Sequence, residues 1–366
     1  MRILHIAETS KGGVGTVMGE LIRDQCQRYG RDQVSYLVPS EHAEDLGLDK
    51  LPGAYIFRRT GRNVRSLLLL WRETLSLIRM LRPEIVHLHS TFAGLIGRLA
   101  VLTLPRDRRP AIIYCPHAFA FLQHGSRSKL TAYRLAERML SPMAAKIICV
   151  SEFERQEGVQ AGIDADRLCV IYNGVRNEAG SGEQLDPYLP GVTKNLLFVG
   201  RFDQQKGFDV LLRAMGELYG APVRLTAIGA AVVGSTQPPN LPNVTYTGWI
   251  ASRKLAPYFM FADALIIPSR WEGFAMVPLE AMQYGLCVIA SDACSLPEQV
   301  ISGVNGELFP SGDWRALAGT IQNGDPGAWR KLGAQGRHMY QEKFTPEVMS
   351  AQTAAVYEQL CRGGTC

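Results

Sequence analysis

Short apolar runs recur along the chain, and they alternate with longer segments whose apolar residues repeat at helical spacing. Runs of this length that are mostly apolar are typical of parallel strands covered on both faces. They predict strands over residues 2–7, 34–38, 85–90, 112–118, 146–151, 169–172, 195–199, 224–229, 243–248, 264–267 and 287–290. Helical patterns cover residues 16–29, 62–81, 250–261, 277–284 and 344–360, among others. This alternation predicts an α/β protein with parallel sheets.

Length and composition are those of a globular chain with two domains. The sequence has 366 residues, of which 46% are apolar and 20% charged, enough for two domains of roughly 150 to 200 residues. Residues 177–194 are rich in glycine and proline and predict a linker, so we expect one domain over residues 1–176 and a second over 195–344. No apolar run reaches the ~18 residues that a membrane span needs, and residues 1–8 enter a strand rather than a secretory leader.

The cysteines predict a reducing environment. The eight cysteines form no C-x-x-C pair, and Cys115, Cys149 and Cys287 lie in apolar runs where a free thiol packs as a small hydrophobe. We therefore expect reduced thiols and a cytoplasmic protein, with contact at the inner face of the cell membrane as an open possibility.

Positive charge is concentrated in the first half. Residues 1–176 carry 25 Lys and Arg against 17 Asp and Glu, whereas residues 177–366 carry 14 against 17. A basic half favours an anionic partner, and without a nucleic-acid motif we expect lipid or lipid diphosphate rather than nucleic acid. The predicted helix over residues 62–81 is basic and amphipathic, so it lies either on an anionic membrane or on its own sheet with its arginines in water.

Two glutamates flank a predicted strand-to-helix junction. Glu272 lies in the loop after the strand over residues 264–267, and Glu280 lies in the helix over 277–284, with Pro278 in its first turn. A helix N-terminus behind a strand presents free backbone N–H groups to phosphate. A carboxylate also accepts hydroxyl hydrogen bonds strongly. The alternative is a pair of solvated glutamates.

A second predicted junction carries Arg201 and Lys206 in a loop that starts at Gly200 and ends at Gly207. A guanidinium fork and a mobile ammonium group can neutralise charge that builds on a departing diphosphate. The alternative is two solvated basic residues. Gly229 ends the next strand, where a missing side chain permits close approach of a ligand.

The first strand leads into a glycine-rich turn that contains Gly13 and Gly15. The dinucleotide fingerprint is incomplete, because Met18 stands at its third glycine and no acidic residue closes the next strand. The absence of Gly-Lys-Ser/Thr excludes a Walker loop. Close packing alone also explains such a turn.

Histidines mark two further strand ends. His87 and His89 share one face of a strand, but the sequence nearby offers no third metal ligand. His117 follows the next predicted strand, where a neutral imidazole can bind a sugar hydroxyl or orient an acceptor. The alternative is a histidine that satisfies loop carbonyls. Ser151 and Glu154 predict a capping box for the helix after residue 151.

These motifs together resemble the retaining, nucleotide-sugar-dependent glycosyltransferases of family 4. The resemblance rests on the E-x7-E pair of Glu272 and Glu280, on the Gly-Arg to Lys-Gly loop over residues 200–207, and on the glycine turn. It implies the GT-B fold, two Rossmann-like domains with parallel sheets that face each other across a cleft. It also implies that the last helix, over residues 345–366, crosses back onto the first domain.

The resemblance assigns roles to individual residues. Glu272 would meet the donor sugar, Glu280 the ribose, and Arg201 with Lys206 the diphosphate, while His117 would meet a sugar. The remaining donor-binding positions implied are Gly13, Gly15, Gly200, Gly229, Phe274, Ala275, Met276 and Val277. Ala275 departs from the family's frequent G-F-G and leaves the identity of the donor open.

The implied reaction is transfer of a hexose from a nucleotide-diphosphate sugar to an acceptor hydroxyl with retained anomeric configuration. Same-face attack, with the leaving diphosphate taking the acceptor's proton, is the implied mechanism. No D-x-D motif suggests a metal, so we expect no cofactor or metal and treat the nucleotide sugar as a co-substrate. The implied acceptor is a lipid-linked saccharide in exopolysaccharide, capsule or lipopolysaccharide biosynthesis. A soluble acceptor, a nucleotide-sugar epimerase of GT-B architecture and a non-catalytic nucleotide-sugar sensor remain alternatives.

Overall fold

The computed structural model describes residues 1–10, 12–43, 53–59, 61, 63–123, 125–176, 184–188, 191, 194–231 and 238–362. The chain divides into two units: Met1–Val175 with Pro346–Cys366, called unit 1, and Arg176–Thr345, called unit 2. Most of the predicted linker lies outside the described residues, as does Arg62. Within the described residues, no helix combines the length and hydropathy required for a membrane span.

Unit 1 is built on a seven-stranded parallel sheet with strand order β3-β2-β1-β4-β5-β6-β7. Its strands are β1 Ile3–Ala7, β2 Val34–Pro39, β3 Ala54–Phe57, β4 Ile85–His89, β5 Ala111–Cys115, β6 Lys146–Cys149 and β7 Leu168–Val170. The helices between them are α1 Gly13–Tyr29, α2 Ser40–Ala43, α3 Val64–Leu81, α4 Thr91–Leu102, α5 Arg127–Leu140 and α6 Glu152–Gln160. The central strands β1, β4 and β5 are buried at every position, which explains why they are apolar apart from His5, His87 and His89.

A buried ion pair ties the helices of unit 1 to its sheet. Arg98 on α4 lies 2.8 Å from the Glu137 carboxylate on α5 and donates to the carbonyl of Gly94. Tyr114 on β5 donates to the other oxygen of Glu137. Because both charges are almost fully buried, each depends on the other for compensation.

Unit 2 is built on a six-stranded parallel sheet with strand order β10-β9-β8-β11-β12-β13. Its strands are β8 Lys194–Val199, β9 Val223–Ile228, β10 Val244–Gly248, β11 Ala264–Ile267, β12 Cys287–Ser291 and β13 Gly306–Phe309. Its helices are α7 Phe208–Glu217, α8 Ala256–Phe261, α9 Met276–Gln283, α10 Leu296–Gln299, α11 Trp314–Asn323 and α12 Pro326–Lys343. Its core contains Phe198, Phe202 and Phe208, whose rings pack in mutual contact.

The last helix, α13 Pro346–Arg362, belongs to unit 1 and packs on α1. Its buried residues include Met349, Thr353 and Tyr357. Gly174, at the end of the first segment of unit 1, donates its backbone N–H to the sulfur of Met349.

Most predicted elements form within a residue or two of the expected bounds, and the exceptions have local causes. The strand predicted over residues 112–118 ends at Cys115, because His117 and Ala118 adopt positive φ angles of 53° and 90°. The strand predicted to Ser151 ends at Cys149, since Ser151 caps α6. The helix predicted over 250–261 begins only at Ala256, after a 3-10 turn at Ser252–Lys254.

The predicted capping box at α6 is half right. The Ser151 hydroxyl accepts the Glu154 backbone N–H at 3.0 Å, as expected for a cap. The Glu154 carboxylate, however, accepts N–H groups from Val150 and Ala118, each at 2.8 Å. Glu154 is therefore committed to a tertiary contact with the loop that carries His117.

The three cysteines predicted in apolar strands, Cys115, Cys149 and Cys287, are buried free thiols. Burial raises the pKa of each, to about 12 for Cys287, so these thiols stay protonated.

Candidate functional site

The predicted motif residues of unit 2 meet at the carboxyl edge of neighbouring strands. Strands β8 and β11 pair directly, so the loops that follow them lie side by side. The Lys206 ammonium lies 2.6 Å from Oε1 of Glu272, and the Ser269 hydroxyl donates to the same oxygen at 2.7 Å. Among the described residues, Oε2 of Glu272 has no hydrogen-bond partner. The carboxylate is thus anchored through one oxygen and keeps the other for a ligand.

Two glycines make this approach of loops possible. Gly207 has φ +63°, and a Cβ there would lie 1.8 Å from the Pro268 carbonyl oxygen after β11. A Cβ at Gly229 would lie 1.8 Å from the carbonyl oxygen of Gly200. Backbone segments therefore touch where β8, β9 and β11 end, and only glycine fits at these positions.

Arg201 lies in the same loop, and two other side chains of that loop contact its guanidinium. Its guanidinium contacts Oε1 of Gln205 at 2.6 Å and Oδ2 of Asp203 at 3.1 Å. Asp203 also accepts the Lys206 backbone N–H at 2.9 Å. Because nearly half of the Arg201 side chain is exposed, the guanidinium remains open to an anionic ligand.

The N-terminus of α9 supplies backbone donors beside Glu272. Ala275 is its N-cap and contributes no side-chain cap hydrogen bond. Phe274 and Ala275 are buried, whereas Met276, Val277 and Glu280 are partly exposed. The side-chain amide of Gln299 donates to the Ala275 carbonyl at 2.7 Å, and this hydrogen bond fixes the turn before α9. The first-turn N–H groups and the helix dipole together favour a bound anion.

In unit 1, the glycine turn opens α1 directly. Gly13 is the first residue of the helix, Gly15 is buried, and Gly12 before them has φ +63°. Lys11 lies outside the described residues. His117 lies in the loop after β5, at the same carboxyl edge as the end of β1, since β1, β4 and β5 are neighbours.

Buried histidines lie behind His117 in a hydrogen-bonded row. Nδ1 of His89 lies 3.0 Å from Nε2 of His117, and Nε2 of His89 lies 2.9 Å from Nδ1 of His5. His5 reaches Oε1 of Gln25 on α1 at 2.7 Å, and Nε2 of Gln25 lies 3.4 Å from the Tyr357 hydroxyl on α13. We call this row the histidine chain; its members are Tyr357, Gln25, His5, His89 and His117.

His87 lies beside the histidine chain rather than within it. Its Nδ1 lies 2.6 Å from the Tyr357 hydroxyl, and its ring stacks on His89 with centroids 4.1 Å apart. Its Nε2 is buried without a partner among the described residues.

The structure adds a third histidine to the pair considered for metal. Ligand nitrogens of His5, His87 and His89 all lie within 4.8 Å of one another, a grouping that spans two strands and that sequence proximity cannot reveal. Yet, within the part of the chain that the structure describes, five of their six ring nitrogens have a hydrogen-bond partner, and Nε2 of His87 is the exception. A metal ion would have to replace these hydrogen bonds.

Burial keeps these imidazoles neutral. Desolvation lowers the pKa of His5 and of His117 to about 4, and it lowers the pKa of His87 and His89 well below the ordinary value. Each ring therefore carries a single proton near neutral pH.

Glu154 holds the His117 loop in a strained conformation. His117 and Ala118 both have positive φ angles, which is uncommon outside glycine. The Glu154 carboxylate binds the Ala118 backbone N–H. Burial raises the pKa of Glu154 to about 7, although backbone N–H donors oppose the rise. Such strain persists where the surroundings impose it and is frequent at functional sites.

Several site residues were missed by sequence reasoning. Ser269 and Asp203 gave no signal of their own, because short polar loops occur everywhere, and Glu154 was expected only as the local capping partner of Ser151. His5 did leave a trace, as a histidine inside an apolar strand. Gln25 and Tyr357 lie far from it in sequence and on amphipathic helices, so nothing marked them.

Two family models match this chain. The model described as Glycosyltransferase Family 4 matches residues 11–178, and the model described as Glycosyl transferases group 1 matches residues 193–323. Each covers most of one parallel-sheet unit. With the two sheets and the site geometry above, they show that the chain belongs to the GT-B glycosyltransferases.

The chain is also similar to individual proteins along most of its length. Over 98% of this chain and 99% of the relative, the sequence is 32% identical to an uncharacterized 41.2 kDa protein in the cps region of Klebsiella pneumoniae. It is 28% identical to a D-inositol 3-phosphate glycosyltransferase of Streptomyces bingchenggensis, covering 76% of this chain and 67% of that one.

Solved structures show the same fold. Anabaena HepE in complex with UDP matches with a TM-score of 0.78 at 20% identity, over 98% of this chain and 100% of that chain. Sucrose-phosphate synthase from Thermosynechococcus elongatus matches with a TM-score of 0.83 at 20% identity, over 99% and 100%.

Proposed function

We propose that this protein is a retaining glycosyltransferase that moves a hexose from a nucleotide-diphosphate sugar to an acceptor hydroxyl. Unit 2 binds the donor, and unit 1 contributes the contacts to the acceptor. The observation that carries the proposal is the Lys206–Glu272 pair at the carboxyl edge of the unit 2 sheet, with N–H donors of α9 beside it. The relatives named for transfer of sugars and the UDP-bound neighbour support it.

Each part of this edge suits one part of the donor. The helix N-terminus and the Arg201 guanidinium match a diphosphate. The free oxygen of Glu272 matches a sugar hydroxyl, and Glu280, one helical turn into α9, is assigned to the ribose. Lys206 neutralises charge on the departing diphosphate, which then takes the proton of the acceptor hydroxyl. In this proposal no metal takes part.

The test of the reaction is product analysis by NMR. The protein is incubated with UDP-glucose, and with other nucleotide sugars, in the presence and absence of a saccharide acceptor extract. We expect a new glycosidic bond with the donor's anomeric configuration, and no change in the donor when acceptor is absent. An inverted linkage would contradict retention, and isomerised donor without acceptor would identify an epimerase instead.

We further propose that the acceptor is lipid-linked and belongs to surface-polysaccharide assembly. The cps-region relative supports the pathway. Helix α3 supports the membrane contact: Arg65, Arg72 and Arg79 are exposed, and Leu68 and Met80 expose about 60% of their side chains. Arginines next to exposed apolar side chains favour an anionic bilayer surface.

Flotation with vesicles tests this contact. We expect the protein to float with phosphatidylglycerol-containing vesicles and not with phosphatidylcholine alone, and high salt should weaken the binding because it screens surface charge. Replacing Arg65, Arg72 and Arg79 by serine should abolish flotation.

The matched control replaces three exposed arginines of unit 2, Arg213, Arg253 and Arg330, by serine. It removes the same charge and should float like the wild type. Equal loss in both triple variants would refute a role for α3, and no flotation of the wild type would favour a soluble acceptor.

A further inference from the structure

We propose that the histidine chain fixes His117 as the tautomer protonated on Nε2, so that its Nδ1 faces substrate as a hydrogen-bond acceptor for a sugar hydroxyl. The nature of the ligand rests on the proposed function, whereas the tautomer follows from the hydrogen bonds of unit 1 alone. His5, His89, Gln25 and Tyr357 are then positioning residues for His117.

Tyr357 determines which partner donates in each hydrogen bond of the histidine chain. Its hydroxyl lies 2.6 Å from Nδ1 of His87, which is short for an N–H···O bond but normal when a hydroxyl is the donor. A phenol is also a stronger acid than a neutral imidazole, so Tyr357 donates to His87. With its single proton used, Tyr357 can only accept from Gln25.

Gln25 therefore turns its amide nitrogen toward Tyr357 and its oxygen toward His5. The distances agree with this orientation, with Nε2 of Gln25 3.4 Å from the Tyr357 hydroxyl and Oε1 2.7 Å from Nε2 of His5. An amide oxygen only accepts, so Nε2 of His5 carries the ring's proton.

Because each neutral ring has a single proton, the tautomer of one histidine determines the tautomer of the next. Since Nε2 of His5 is protonated, its Nδ1 is bare and accepts from Nε2–H of His89 at 2.9 Å. Nδ1 of His89 is then bare and accepts from Nε2–H of His117 at 3.0 Å. Nδ1 of His117 is bare in turn. The low pKa values of the buried imidazoles are consistent with one proton on each ring.

The bare nitrogen is the end of the chain that is open to ligands. His117 is partly exposed, and no described residue lies within hydrogen-bonding distance of its Nδ1. An unprotonated nitrogen accepts a hydrogen bond from a hydroxyl and repels a carboxylate or phosphate oxygen. The site at His117 therefore selects a neutral, hydroxyl-bearing part of a sugar over an anionic one.

Histidine tautomers are read directly by long-range proton–nitrogen NMR on protein labelled with ¹⁵N-histidine. Loss of one ring system in a His117→Asn variant assigns the signals of His117. We expect Nδ1 of His117 to resonate as an unprotonated nitrogen and Nε2 as a protonated one. The readout needs no turnover, so it stands whether or not the protein transfers sugar.

The Tyr357→Phe variant tests the chain itself. Without the hydroxyl, the Gln25 amide can exchange the positions of its oxygen and nitrogen. The hydrogen bonds along the chain then reverse, so His117 should populate the tautomer protonated on Nδ1. Gln25→Met removes the fixed acceptor and should do the same. The control is Tyr29→Phe, which removes a hydroxyl from α1 that has no partner among the described residues; it should leave the His117 signals unchanged.

Two results would overturn the inference. One is a wild-type His117 protonated on Nδ1, and the other is a tautomer that stays the same in both Tyr357→Phe and Gln25→Met. Addition of the nucleotide sugar that raises the Tm, found by screening UDP-, GDP- and ADP-sugars, then separates the two sources of the hydroxyl: a shift of the Nδ1 resonance assigns it to the donor sugar, and an unchanged resonance assigns it to the acceptor.

Discussion

Replacement of Lys206 by alanine is expected to lower kcat for sugar transfer by about 10²- to 10³-fold, the loss typical when one preorganised group that stabilises transition-state charge is removed. The Lys206 ammonium is held 2.6 Å from Glu272, so it is already in place when charge builds on the leaving diphosphate. Its loss also removes the cation that contacts Glu272, whose side chain is 8% exposed. Steady-state kinetics with the nucleotide sugar that serves as the donor in the product analysis measures the effect.

The matched control for this variant is Lys331→Ala, which removes an exposed lysine elsewhere in unit 2. Its kcat should equal that of the wild type. Lys206→Arg keeps the charge and should retain more activity than alanine. If Lys206→Ala raised KM for the donor but left kcat unchanged, the lysine would bind the ground state and the transition state equally, and its assigned role would be wrong.

Replacement of Gly207 by alanine is expected to destabilise unit 2 by about 4 kcal/mol, from backbone strain and overpacking together. The added Cβ would lie 1.8 Å from the Pro268 carbonyl oxygen, so β8 and β11 would have to separate at their carboxyl ends. Denaturant unfolding measures the change in free energy, and fluorescence of the tryptophans follows it.

Gly303→Ala separates the two contributions. Gly303 has φ +74° and open space around its Cβ position, so this variant carries backbone strain without a clash and should lose only about 1 kcal/mol. Equal losses in the two variants would show that the contact with Pro268 does not govern stability.

The sequence predicts the parallel sheets and the unit 2 motifs well because their causes are local. Strand β11 is apolar at each of its four positions, and the structure buries all of them. The loop from Gly200 to Gly207 joins a strand to a helix, and Gly207 is required by the contact with Pro268 at the end of the neighbouring strand. In such segments, a run of adjacent residues determines both the element and the position of the motif residues.

The features that escaped prediction depend on partners distant in sequence. The Glu154 contact with Ala118 and the row from Tyr357 to His117 join elements whose proximity only the sheet order and the last helix create. Capping patterns favour a local partner for Glu154, but a buried loop with unpaired N–H groups competes more strongly. A buried polar network of this kind is specified by topology, not by spacing.

The central claim, that the carboxyl edge of the unit 2 sheet binds a nucleotide diphosphate, is tested most directly by thermal shift with UDP, GDP, ADP and their sugars. A ligand at a hundred times its Kd adds about 2.7 kcal/mol of stability. We predict a clear rise in Tm with one nucleotide series, much reduced in Lys206→Ala and unchanged in Lys331→Ala. Absence of a shift with every series, or an equal shift in Lys206→Ala, would contradict the account.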